Sequence, residues 1–367
     1  MISFNILKKD IQNINKCLIC SSKSKVVLSN IFLKNNFIIF QTSYCKKCLY
    51  IYRSKRPKIN WLEKAWEKRE KIQKIKKIKY INKKIEVKRE QRYKKLFKFL
   101  SEKIEYSNIL DVGCGPGTGL KHLIKLKKDV YGLEPDLSRA KIAKKNKIKI
   151  IKGKIEDIKT RKKFDLVTCI QSLEHFYDPK KTIISIKKIV KNSGFIFIEI
   201  PNYFNHVRSW HDCLYLGHMS NFIKESFLYL FLKCGLKPKF LCFTQTGKYG
   251  EYNLGIVAQN KKFFNIEKPN YINKQIQKKI ERLTLHGIKN YPIKKKIPLN
   301  ININIINDLS LMYKPNTKIK FNLIENIFER GCKYNYEINK YEITDTENHK
   351  IKIKNNKIDK KIKFIKI

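Results

Sequence analysis

The chain has 367 residues, 42% hydrophobic and 12% aromatic, enough for one full α/β domain with smaller units beside it. No run of about 18 apolar residues occurs and the N-terminus has no secretory pattern, so a membrane-spanning helix is excluded and a soluble cytoplasmic chain is expected. The formal charge is +50, but 71 of the 81 basic residues are lysine, accompanied by heavy use of Ile and Asn; shared A/T-rich codons account for this without the arginine forks and interleaved aromatics of a nucleic-acid groove.

Residues 1–56 carry Cys17-x-x-Cys20 and Cys45-x-x-Cys48, with 24 residues between the pairs and an apolar stretch, Asn30 to Phe40, that reads as strands. Two such knuckles supply four thiolates for tetrahedral zinc, and a closed site stabilises a module too small to fold on its core alone. Structural zinc on Cys17, Cys20, Cys45 and Cys48 is therefore predicted. The other six cysteines (Cys114, Cys169, Cys213, Cys234, Cys242 and Cys332) sit mostly among apolar neighbours and read as small core residues. Residues 57–105 are lysine-rich with Ile72, Ile75, Leu96, Phe97, Leu100 and Ile104 at helical spacing, a basic helical linker.

From 106 to 260 short apolar runs (108–112, 129–134, 147–151, 164–170 and 194–200) alternate with helix-like segments at 118–126, 137–146 and 179–191. That alternation predicts a mainly parallel sheet covered by helices on both faces. A further helix is expected over 221–233, stopped by Gly235, and then strands at 239–243 and 252–258. Residues 261–367 form a small C-terminal extension of unassigned role, in which the alternation at 333–344 suggests a β hairpin.

The loop Asp111-Val-Gly113-Cys-Gly115-Pro-Gly117-Thr-Gly119 joins a strand to a helix, where glycines let the backbone turn tightly against a ligand. The next strand ends in Glu134, placed to accept hydrogen bonds from two ribose hydroxyls. The dinucleotide fingerprint G-x-G-x-x-G is absent, since Thr118 stands at its third glycine. An acid opening the loop suits a cationic cofactor with an ammonium group and no pyrophosphate. Past the fourth strand, Gln171 and the pair Glu174-His175 fall at the carboxyl edge, where open α/β sheets bind ligands. His175 is suited to remove a proton from a hydroxyl or an acidic carbon.

The ordered series ILDVGCGPGTG, YGLEPD, KGKIEDI, FDLVTCIQSLEHFYDP and VKNSGFIFIEIPN resembles the motifs of class I S-adenosylmethionine-dependent methyltransferases over residues 108–202. The resemblance implies a Rossmann-like sheet of seven strands with an antiparallel last strand. It implies that Asp111, Gly113, Gly115 and Gly117 shape the methionine side of the pocket, that Glu134 holds the ribose, and that Ile155 and Glu156 lie against the adenine; Gln171 joins this cofactor set. Lys154 stands where many members have Asp. SLEHFYDP is similar to the LEH-xx-DP signature of small-molecule methyltransferases, including the ubiquinone-pathway O-methyltransferases, with Gln171 in place of a first Glu seen in some. No (N/D)-P-P-(Y/F) follows strand four, which disfavours amine methylation of nucleobases.

The cysteine segment resembles the zinc ribbon preceding the methyltransferase domain in enzymes of sugar and surface-polysaccharide pathways. In the deoxysugar C-methyltransferases a His and a Tyr after strand five act as acid and base. Here His218 fits the His, Gly217 and Asn221 depart from the pattern, and Tyr215 is nearby. The combined expectation is methyl transfer from S-adenosylmethionine to oxygen or carbon of a nucleotide-linked sugar or related small metabolite, with Glu174, His175 and His218 catalytic. Alternatives are an RNA methyltransferase gripping RNA through ribbon and basic helix, and a non-catalytic cofactor-binding scaffold. Oligomeric state is not legible.

Overall fold

The structure, a computed structural model, describes residues 6–33, 38–65, 67, 83–204, 217–246, 251–261 and 274–281, and short strands at 305–310, 319–320, 343–344, 350–351 and 363–366. Among the earlier expectations, Ile72, Ile75, Cys213, Tyr215, Cys332 and residues 333–342 lie outside the described residues.

The sheet of the domain that follows the N-terminal module uses the apolar runs in the predicted order. Its strands are β5 (Asn108–Val112), β6 (Asp129–Leu133), β7 (Lys149–Ile151), β8 (Phe164–Ile170), β9 (Val190–Pro201), β11 (Lys237–Thr246) and β12 (Glu251–Gln259). They lie in the order β11-β12-β9-β8-β5-β6-β7, and Lys363–Lys366 adds an eighth, antiparallel strand beside β11. β7, β6, β5, β8 and β9 are parallel, while β12 runs antiparallel between β9 and β11. β5 and β8 are buried along most of their length, as expected for strands covered on both faces.

The helices include α1 (Lys83–Lys103), α2 (Lys121–Lys125), α3 (Leu137–Lys145), α4 (Pro179–Ile189) and α5 (Lys224–Lys233), and residues 59–65, just after the N-terminal module, and 274–281 are also helical. Local chemistry starts two of them. Asp136 accepts hydrogen bonds from the Ser138 and Arg139 amides, and Asp178 accepts from those of Lys180 and Lys181 ahead of Pro179. Leu96, Phe97, Leu100 and Ile104 are all buried, so the apolar stripe read in the linker packs onto the α/β domain. Cys114, Cys169, Cys234 and Cys242 are buried as expected. No described helix is long and apolar enough to cross a membrane.

The N-terminal module is a ribbon of β1 (Ile11–Asn13), β2 (Lys25–Leu33), β3 (Ile38–Cys45) and β4 (Ile51–Pro57), in the order β1-β4-β3-β2. β1 pairs antiparallel with Lys55–Pro57 of β4. The rest of that edge is taken by β10 (Ser220–Asn221), whose two residues pair with Tyr52 and Ile51. This corrects the expected helix over 221–233. The open edge of β4 draws Ser220 and Asn221 into strand pairing, and the helix begins only at Lys224, where the Ile223 amide donates to Ser226 Oγ. Cys17, Ile19, Cys45, Cys48, Tyr50 and Tyr52 share one buried cluster with Leu173, Phe222, Phe227 and Tyr229. The ribbon and the α/β domain thus bury a common core.

Candidate active site and cysteine cluster

β5 and β6 deliver Asp111 and Glu134 to the same end of the sheet, because their parallel register sets Asp111 opposite Gly132. Between them the loop turns through Gly113, Gly115 and Gly117 at φ of 76°, 59° and 70°, conformations that side chains disfavour. At Gly113 a Cβ would also meet Ser172 Oγ at 2.5 Å, whereas beside Gly115 it would meet nothing within 4 Å. Glu134 is anchored locally: the Gly115 amide donates to Oε2 at 2.7 Å and the Asp136 amide to Oε1 at 3.1 Å.

Asp111 is fully buried. Thr168 Oγ1 donates to its Oδ1 at 2.7 Å, while Oδ2 is buried with no hydrogen-bond partner among the described residues. Burial, with Glu134 nearby, pushes this carboxyl up to about 7, and the Thr168 hydrogen bond offsets only part of that rise. Two buried carboxylates around an open glycine turn form an anionic cradle that a cationic ligand would neutralise. This donor set fits the sulfonium, ammonium and ribose of S-adenosylmethionine.

The remaining expected cofactor residues lie further along the same sheet edge and its loops. Ile155 is fully buried among Leu133, Phe164 and Ile183. Glu156 is exposed, accepts from Thr182 Oγ1 at 2.7 Å, and follows Lys154, which pairs with Glu63 in the short helix after the ribbon. Gln171, at φ 51°, turns its amide to Glu199 Oε1 at 3.2 Å. Glu199 also pairs with Arg92 of α1 and receives Asn253 Nδ2 at 3.3 Å, forming a buried polar network that sequence reasoning missed.

Glu174, His175 and His218 come together although 43 positions separate the last two in sequence: one ligand-capable atom from each lies within 4.8 Å of the others. The two imidazoles meet edge-on with ring centroids 4.8 Å apart. His175 Nδ1 lies 2.8 Å from the Gly217 carbonyl, which can only accept, so Nδ1 carries the proton and a neutral His175 has its basic lone pair on Nε2. That Nε2 is 3.7 Å from Glu174 Oε1. The ribbon holds the opposite side of this segment: Arg53 Nε donates to the His218 carbonyl at 3.2 Å, the Arg53 amide to Met219 O at 3.1 Å, and Tyr50 OH lies 2.5 Å from Ser220 Oγ.

The four knuckle cysteines converge as predicted. Cys17 and Cys48 sulfurs are 3.5 Å apart, as are those of Cys20 and Cys45, and all four lie within 4.8 Å of one another. Disulfide sulfurs would be about 2.05 Å apart; tetrahedral thiolates at Zn–S of about 2.3 Å sit about 3.8 Å apart. Hydrogen bonding with Cys20 pushes the Cys17 thiol up and that with Cys17 pushes Cys48 up, while Cys20 and Cys45 are pulled down by their bonds to Cys17. Such a set ionises together only around a cation, and its donors fit a tetrahedral divalent ion.

Residues 85–238 match the family profile described as a methyltransferase domain. A ubiquinone biosynthesis O-methyltransferase of Nitrosomonas europaea is 32% identical over 111 residues, covering 28% of this chain and 46% of that enzyme. One from Haemophilus ducreyi is 31% identical over 106 residues, covering 26% and 45%. The chain thus spans less than half the length of these curated relatives. Among solved structures, a Thermotoga maritima protein described as a possible histamine N-methyltransferase is 17% identical with a TM-score of 0.40, covering 47% of this chain and 92% of that one. An amino pentose methyltransferase of Micromonospora echinaspora is 13% identical with a TM-score of 0.37, covering 47% and 92%. Residues 85–238 are thus similar to a methyltransferase domain.

Proposed function

We propose that the protein transfers a methyl group from S-adenosylmethionine to an oxygen or carbon of a small metabolite, a nucleotide-linked sugar or surface-polysaccharide precursor. The observation that carries this reading is the buried Asp111 carboxylate, with one oxygen unpartnered among the described residues, beside Glu134 on a glycine turn that is open at Gly115. When bound, the cofactor supplies an electrophilic methyl on a good leaving group. The chain's own task is then alignment and removal of the acceptor proton.

Glu174, His175 and His218 supply that second function. His175 Nε2 is the basic nitrogen, oriented by the Gly217 carbonyl, and Glu174 would stabilise the imidazolium formed when it takes a proton. Cys17, Cys20, Cys45 and Cys48 would hold a structural zinc, keeping the ribbon against segment 217–221. The sugar-type acceptor is supported by the sequence likeness of ribbon and LEH motif to small-molecule enzymes.

A tritiated-methyl assay against a panel of sugar nucleotides and total RNA tests this reading. Incorporation into a sugar nucleotide is expected, with His175→Ala and His218→Ala each lowering it while sparing cofactor binding. Incorporation into RNA alone would overturn the acceptor class, and full activity in both variants would remove the base assignment.

A further inference from the structure

The ribbon's second role is visible in one side chain. Arg53 on β4 is 1% exposed, a charged group at a depth normally reserved for apolar residues. Among the contacts of its guanidinium, Nη1 donates to Thr42 Oγ1 on β3, Nε donates to the His218 carbonyl at 3.2 Å, and the Phe40 ring lies 5.5 Å away. Stability alone does not explain such a choice, since a well-packed apolar side chain is often as good or better at a buried ionic position. The contact to His218 gives it a purpose.

We infer that Arg53 is a positioning residue for His218, so that the ribbon forms part of the acceptor half of the site. The segment from Gly217 to Asn221 is clamped from two sides. From the ribbon, the Arg53 amide donates to Met219 O at 3.1 Å and its side chain to the preceding carbonyl, while Ser220 and Asn221 pair with Tyr52 and Ile51. From the catalytic domain, the Met219 amide donates to Glu174 O at 2.8 Å and His175 Nδ1 to Gly217 O at 2.8 Å. Two consecutive carbonyls, His218 O and Met219 O, are therefore fixed by one arginine. This sets the backbone from which the His218 ring meets His175 at 4.8 Å. A charged donor to a buried carbonyl is stronger and more directional than the neutral bonds around it, which suits a contact whose job is orientation. Two residues separated by 165 positions thus act as one unit, which makes the catalytic value of His218 depend on a docked ribbon.

This role rests on the acceptor-site reading above, but its test does not require the acceptor. Full-length, metal-loaded protein with ring-labelled histidine gives one imidazole signal for His218, assigned by its loss in His218→Gln, and one for His175, assigned in His175→Gln. In Arg53→Met both signals are expected to move by more than their linewidth, and Arg53→Lys, which restores one charged donor, should return them part of the way. S-adenosylhomocysteine affinity, by calorimetry, should stay within about twofold in both variants because the glycine loop is untouched. Signals at wild-type positions in folded Arg53→Met would overturn the inference. If that variant does not fold, Thr42→Val removes a second hydrogen-bond partner of the guanidinium and should move the same signals less; unmoved signals there would overturn it equally. Failure of the wild-type protein to bind S-adenosylhomocysteine would count against the methyltransferase reading instead, and leaves the histidine result to stand by itself.

Discussion

The two halves of the site are built in opposite ways. The half around Asp111 and Glu134 is made within a single strand–loop–helix–strand unit, with its carboxylates fixed by neighbouring amides and a hydroxyl from the adjacent strand. The half around His175 and His218 is made from side chains and carbonyls of three distant segments, one of them in the ribbon. Local construction makes the first half independent of what docks beside it. On the proposed reading the second depends on the ribbon being in place, which would give a small cysteine-bearing module leverage over chemistry it does not perform.

The largest expected effect separates the halves outright. Metal analysis of the purified protein should give one zinc per chain, and Cys45→Ser should abolish that stoichiometry. With the ribbon loosened, methyl transfer should fall by about 100-fold or more, while S-adenosylhomocysteine affinity changes by no more than about threefold. Equal losses in both would break the proposed independence, and a metal-free, fully active protein would remove the zinc.

Gly113→Ala is the converse experiment. The new Cβ demands a φ of 76° from alanine and meets Ser172 Oγ at 2.5 Å. It should cost about 1–3 kcal/mol of stability and weaken cofactor binding by about tenfold or more, read by thermal melts and calorimetry. Wild-type affinity in this variant would mean that the loop does not contact the ligand.

A smaller, pH-dependent effect sharpens the cofactor half. The Asp111 carboxyl is raised from 3.8 to about 7, so its stabilising contribution in the cofactor-free protein is complete below pH 3.8 and lost as pH rises through about 7. A cationic ligand prefers the ionised carboxylate, which reverses the sign for binding. S-adenosylmethionine affinity should therefore tighten by about threefold to tenfold between about pH 6 and pH 7.5, and Asp111→Asn should flatten the slope. An equal slope in that variant would assign the titration to another group.

The same contrast explains what the sequence disclosed. Asp111, the three loop glycines and Glu134 are legible because their positions follow from short-range spacing within one β-α-β unit. The four cysteines are legible because two knuckles repeat one local geometry. Arg53 was not, since YIYRSKRP reads as an ordinary alternating strand until β10, far along the chain, covers its edge. Asn221 was read into a helix for the same reason: the pull of β4 on Ser220 and Asn221 is non-local, and no cap residue precedes them to mark the true start. Glu199 and Arg92 stayed hidden because their pairing joins α1 to β9 across the sheet. The exposure of Glu156 and the inward turn of Ile155 likewise depend on how the segment after β7 packs, which its KGKIEDI motif does not encode.

The most direct measurement is a calorimetric titration of S-adenosylhomocysteine into the wild-type protein and into Glu134→Ala. One site per chain is expected, with affinity weakened by about tenfold to 100-fold in the variant, the worth of hydrogen bonds to a charged group. Undiminished affinity in Glu134→Ala, or no saturable binding to the wild-type chain, would contradict the account.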